Sequence, residues 1–101
     1  MGKRKLYKMF IDLGQSGVIE GLFIATDTEI ELLAGQTLSF VDAPLRNNSY
    51  IECVFERRLV RVVSTNQLLI ELLNQTFGDT VSGYNPFEQV EPTDYEDEDL
   101  I

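Results

Sequence analysis

The feature that most limits what this chain can fold into is the distribution of its charge. From Glu88 to the end, Glu88, Glu91, Asp94, Glu96, Asp97, Glu98 and Asp99 place seven acids in fourteen positions, with no base among them. Acids this dense repel one another and bring little apolar surface to bury, so 88–101 is expected to form a flexible, disordered acidic tail. The formal net charge is −9. Residues 1–87 hold ten acids and eight bases, which leaves the foldable part near −2. Its own cations are clustered too: Lys3, Arg4, Lys5 and Lys8 come before any acid. A single domain over 1–87 is therefore expected, followed by the tail.

Within 1–87 the apolar stretches are short and regularly interrupted, the pattern of strands rather than long helices. Residues 6–13 and 18–25 flank Gly14-Gln15-Ser16-Gly17 and predict a β-hairpin. Gly21, inside the second stretch, predicts a bulge or the close approach of another backbone. Thr26 and Glu29 have capping-box spacing ahead of Ile30, Leu32 and Leu33, and Gly35 closes a short helix. Gln36–Val41 reads as a strand and 42–49 as a polar loop. From Tyr50 to Glu56 the chain alternates, with Ile51, Cys53 and Phe55 on one side and Tyr50, Glu52, Val54 and Glu56 on the other. After Arg57-Arg58, residues 59–63 give another strand.

Ser64 and Gln67 have capping-box spacing before a run in which Leu68, Leu69, Ile70, Leu72, Leu73 and Phe77 form a wide apolar stripe. This helix, 66–77, is expected to carry the fold by packing on the sheet, so that Leu72→Ala, if Leu72 is central to that contact, costs about 2–5 kcal/mol. Gly83, Asn85 and Pro86 read as irregular chain, pinned to the body by Tyr84 and Phe87. The order is thus β-β-α-β-β-β-α plus tail. It predicts an α+β domain with a small, twisted, mainly antiparallel sheet or partial barrel and one long C-terminal helix packed on it.

Composition excludes several chemistries. There is no histidine, which removes His-containing triads and His-ligated zinc. Cys53 is the one cysteine, so no internal disulfide and no multi-cysteine metal site can form. Alternating with Ile51 and Phe55, it reads as a small core residue. Gly14–Gly17 reads as a turn and not a phosphate cradle, because no helix follows it. Asp27, Glu29 and Glu31 are explained by the dipole of the helix they begin, and no Asp-x-Asp-x-Asp loop accompanies them. No cofactor and no metal site is expected, and an enzyme is the least supported class. No apolar run is long enough to cross a bilayer and no signal h-region follows the basic start, so a cytoplasmic protein without membrane contact is expected.

Two features point to binding. Lys3, Arg4, Lys5, Lys8, Arg57, Arg58 and Arg61, with Arg46 and the aromatic Tyr50 nearby, are candidates for a basic patch, although Glu52 and Glu56 share part of that segment. The tail Asp94-Tyr95-Glu96-Asp97-Glu98-Asp99-Leu100-Ile101 sets dense acid beside an apolar tip. It can act as a solubility tail, as a mimic of a phosphate backbone, or as a recognition peptide in which acid steers and Leu100-Ile101 anchors. In arrangement this tail is similar to the acidic, hydrophobic-tipped C-termini of single-stranded DNA-binding proteins, a likeness of about eight residues that implies recruitment of a partner. In size and charge the chain also resembles small phage-type inhibitors. The leading expectation is a non-enzymatic inhibitor or adaptor that engages a basic, nucleic-acid-binding surface of a partner protein. The alternative is a small single-stranded nucleic-acid-binding module masked by its own tail. A homodimer is expected as well, because one helix leaves much of an apolar sheet face to cover.

Overall fold

In the computed structural model, which describes residues 3–40 and 51–90, the chain starts as a long antiparallel hairpin. Its strands are β1 (Arg4–Asp12) and β2 (Val18–Thr26), paired in register from Arg4 opposite Thr26 to Asp12 opposite Val18. The turn is a single 3₁₀ turn, Gly14–Ser16, in which the Gly14 amide donates to the Asp12 carboxylate at 2.9 Å. The helix α1 (Asp27–Leu33) begins with the expected capping box. Thr26 accepts from the Glu29 amide at 3.1 Å, and the Glu29 carboxylate accepts from the Thr26 amide at 2.9 Å.

β3 (Thr37–Phe40) and β4 (Ile51–Val54) then form a separate two-stranded antiparallel sheet. After a 3₁₀ turn at Arg57–Leu59 come β5 (Val60–Ser64), α2 (Gln67–Phe77) and β6 (Thr80–Gly83). The main sheet has the order β5-β1-β2-β6, antiparallel throughout. This is a small α+β fold with mainly antiparallel strands and two helices.

Three details differ from the expectation. The strands are divided between two sheets, and among the described residues the four-stranded one ends at the open edges β5 and β6, so no barrel closes. The punctuated segment after α2 contains a strand, β6, making the order β-β-α-β-β-β-α-β and leaving α2 short of the C-terminal position. An edge strand needs ladder partners on one side only, which lets a short polar segment such as Thr80–Gly83 serve. The cap of α2 is Asn66, whose side-chain oxygen accepts from the amides of Leu68 and Leu69. Ser64 instead accepts from the Asn66 amide.

The core also lies elsewhere. Tyr7, Met9, Ile11, Ile19, Phe23 and Ala25 project from the inner face of the hairpin and are buried beneath α1, the β3–β4 pair and Phe55. Rings fill this layer, with Tyr7 stacked on Phe23 and Tyr84 set edge-on to Phe40 at 5.5 Å. On the outer face, α2 contributes to a much smaller cluster of Leu6, Ile24 and Ile70. Ile70 is its one buried residue among those described, while Leu68 is 70% and Leu72 56% exposed. The helix therefore covers one end of the outer face and does not carry the fold. The apolar residues of α2 are spread over roughly 200° of the helix surface, about twice the width of an ordinary core-facing stripe, so one packing surface leaves part of them exposed.

Past β6, buried Asn85 caps a 3₁₀ turn at Pro86–Glu88 and donates to Thr80, as the irregular chain reading and the pinning by Phe87 anticipate. Contacts with the sheet then run on beyond 87. The Ser39 amide donates to the Gln89 carbonyl at 2.8 Å, and Val90 bridges Leu38. The tail residues Asp94 to Ile101, together with Arg46 and Tyr50, lie outside the described residues. Among those described, no helix is long and apolar enough to cross a membrane.

Candidate functional site

Strand alternation fixes what the outer face presents. Leu6, Lys8, Phe10 and Asp12 of β1 all point away from the main core. Only Leu6 is sheltered by α2, so the others stand on open sheet. Their neighbours follow from the register. Lys8 lies between Arg61 of β5 and Leu22 of β2, Phe10 lies beside Glu20, and Asp12 beside Val18. Phe10 is 47% exposed and Val18 40%, high values for a ring and a branched aliphatic in regular strands.

Three open hollows run together here. One, of about 380 Å³, is lined by Lys8, Phe10, Arg58, Leu59, Val60 and Arg61. Phe10, Arg58 and Leu59 also line a second, which extends to Asp12, Cys53, Val54 and Glu56. Lys8 joins the first to a third, floored by Gly21, Leu22 and Ser82 and walled by Glu20. The face is a continuous shallow surface with an aromatic ring near its middle.

Its charges are nearly balanced. The Lys8 ammonium is 3.5 Å from the Glu20 carboxylate, and the Arg58 guanidinium donates to Glu56. Both pairs are largely solvated and worth little as stabilisers. Arg61 is exposed and has no ion pair among the described residues.

The seven cations of the expected basic patch are therefore divided. Lys8, Arg58 and Arg61 converge around Phe10. Arg4 is exposed at the α2 end of the same face, with Lys3 just before it, whereas Lys5 and Arg57 belong to a different cluster. There the Lys5 ammonium donates to Asp27 at 2.6 Å, the Tyr7 hydroxyl donates to the same carboxylate, and the Arg57 guanidinium lies 5.7 Å above the Tyr7 ring. Burial, then the hydrogen bond to Asp27, pushes the Tyr7 hydroxyl up to about 12. The Lys5 ammonium first, then Tyr7, holds the Asp27 carboxyl below its usual value. These bonds fasten the first residue of α1 to β1.

Cys53 is partly buried against the core, as its alternation with Ile51 and Phe55 implies, and burial pushes its thiol up, away from the reactive thiolate. Among the described residues no group of acids or thiols is arranged to hold a metal ion. Asp12 and Glu20 each line one of these hollows.

The residue that sequence reasoning missed is Phe10. In the pattern Met9-Phe10-Ile11 it reads as one of three apolar strand residues. The signal was available in the alternation, because Phe10 shares parity with Lys8 and Asp12. No known protein family, curated protein or solved structure matches this chain.

Proposed function

We propose that this protein works by binding another protein on the open outer face of its sheet, as a non-enzymatic adaptor or inhibitor. The observation that carries the reading is Phe10, half exposed at the centre of a face where Lys8, Arg58 and Arg61 meet Asp12, Glu20 and Glu56. An aromatic ring with arginines beside it, inside a solvated polar margin, is the composition of a protein-binding hot spot. A phosphodiester backbone would call for uncompensated positive charge, and most of the positive charge here is matched by acid. The acidic stretch 91–101 adds long-range attraction for a partner with a basic surface.

Arg61, without an ion pair among the described residues and opposite Lys8, favours a second reading in which the same face holds single-stranded nucleic acid, with Phe10 as a stacking platform. The two are separated by one set of measurements on the full chain. Wild type and Phe10→Ala are used as baits at low and high salt, and both are titrated with a fluorescent oligothymidylate. The proposal expects a captured protein that Phe10→Ala loses, with no saturable binding of the oligonucleotide. Capture that is indifferent to Phe10→Ala overturns it. Salt-sensitive oligonucleotide binding that weakens in Arg61→Ala replaces it with the second reading.

A further inference from the structure

The near balance of charge across the outer face hides a local excess. The hollow of about 380 Å³ is lined by Lys8, Arg58 and Arg61 and, among the described residues, by no acid. The acids of the face stand at its margins, Asp12 and Glu56 along the second hollow and Glu20 along the third. Lys8 and Arg61 are directly opposite in the β1–β5 register, and like charges so placed are unfavourable without an anion near both. Arg61 has no ion pair among the described residues, and the solvated pairs of Lys8 and Arg58 exchange partners at little cost. Phe10 and Leu59 give the same hollow an apolar wall.

The chain carries a segment of matching chemistry. Asp94, Glu96, Asp97, Glu98 and Asp99 are followed by Leu100 and Ile101. The described residues end at Val90, which bridges Leu38. Leu38 in turn pairs with Cys53, and Cys53 lines the second hollow together with Phe10 and Arg58. Two strand spacings, about 10 Å, therefore separate Val90 from the margin of the binding face. Residues 91–101 extend to at most about 36 Å, long enough to bring the acids from 94 onwards to the cationic hollow.

We infer that the occupant of this hollow is residues 94–101 of the same chain, their carboxylates on Lys8, Arg58 and Arg61 and Leu100-Ile101 against Phe10 and Leu59. A segment tethered by a short linker is held at an effective concentration in the millimolar range, ahead of any acidic peptide arriving from outside. The contact deepens the proposed function and rests on that reading. The segment covers the outer face until a partner with a basic surface draws the acids away and uncovers Phe10.

Two measurements on the full chain test the contact with no partner present, so its failure is distinguishable from failure of the proposed binding role. First, backbone amide resonances are compared between wild type and a neutralised variant carrying Asp94→Asn, Glu96→Gln, Asp97→Asn, Glu98→Gln and Asp99→Asn. Shifts at Phe10, Leu59 and Arg61 are expected to differ, and those of Arg4 and α2 to stay the same. Second, a fluorescent synthetic peptide of residues 91–101 is titrated into both proteins. The neutralised variant should bind it saturably and about tenfold or more tighter than wild type, whose own segment competes. Adding Arg61→Glu or Arg58→Glu to that variant should weaken the peptide about tenfold or more, and adding Arg4→Glu should leave it unchanged. Both reversals are at exposed positions, and a circular-dichroism melt of each checks its folding. Identical amide spectra overturn the inference. So does a peptide that fails to bind the neutralised variant, or one that ignores both charge reversals. Equal binding to wild type and the neutralised variant overturns the contact within one chain.

Discussion

A Cβ placed on Gly21 would lie 1.8 Å from the carbonyl oxygen of Tyr84. Here the edge strand β6 leaves the sheet, with Gly83 opposite Gly21 and the Tyr84 amide donating to Glu20 at 3.1 Å. The Tyr84 ring that follows is set against Phe40 in the core. Gly21→Ala therefore forces backbone against backbone and should cost at least about 2 kcal/mol. Gly14→Ala gives the contrast: φ is +67° but nothing lies within 4 Å of the added carbon, so only the left-handed backbone is penalised, by about 1–2 kcal/mol. Urea titrations of the two variants should rank in that order.

Within α2, burial sets Ile70 apart from Leu72. Ile70→Ala empties a fully enclosed site and should cost about 2–4 kcal/mol. Leu72→Ala, measured at concentrations where the chain is monomeric, should cost less than about 1 kcal/mol, because its side chain is 56% exposed. Chemical denaturation of both variants decides between the positions.

The start of the same helix gives a third measurement. Asn66→Ala removes the acceptor for two amides and should cost about 1 kcal/mol. Ser64→Ala removes a bond to one amide ahead of the helix and should cost less. Thermal melts at equal concentration check the difference.

Tyr7 and Asp27 make stability fall at both ends of the pH scale, Tyr7 through its burial and its bond to Asp27, and Asp27 through Lys5 and Tyr7 beside it. The folded Tyr7 hydroxyl sits at about 12 against an ordinary value of 10, so its stabilisation is complete below pH 10 and lost as pH rises from 10 to about 12. Asp27 is shifted down, so its stabilisation is complete above the ordinary carboxylate value and lost as pH falls below it. Urea midpoints should drop for wild type over both ranges. Tyr7→Phe should flatten the alkaline arm, and Asp27→Asn should flatten the acid arm while only reducing the alkaline one, since burial of Tyr7 remains.

Local rules were legible wherever a few neighbouring residues decide the outcome. The β1–β2 hairpin, the Thr26–Glu29 capping box, the end of α2 at Gly78 and the burial of Phe55 all follow from spacing and turn chemistry. Gly21 signalled a close approach, but the sequence could not say that Tyr84 was the backbone approaching. Of the candidate site, the cations were visible and their grouping was not. Lys8 and Arg61 lie more than fifty residues apart and meet only through strand register. Lys5, three residues before Lys8, is taken to the opposite side by the two-residue period of the strand.

By itself the amino-acid order determined most of the segments that become strands and helices, β6 excepted, and that charge gathers at the two ends. Those outcomes depend on backbone preference and side-chain alternation over a few residues. Only the tertiary structure decided that the inner face of the hairpin, closed by α1 and the β3–β4 pair, holds the main core. It likewise decided that α2 shelters one corner, leaving Phe10 and Leu72 to solvent. Burial depends on which element lies over which face, and an apolar side chain carries no mark of whether its neighbour will arrive.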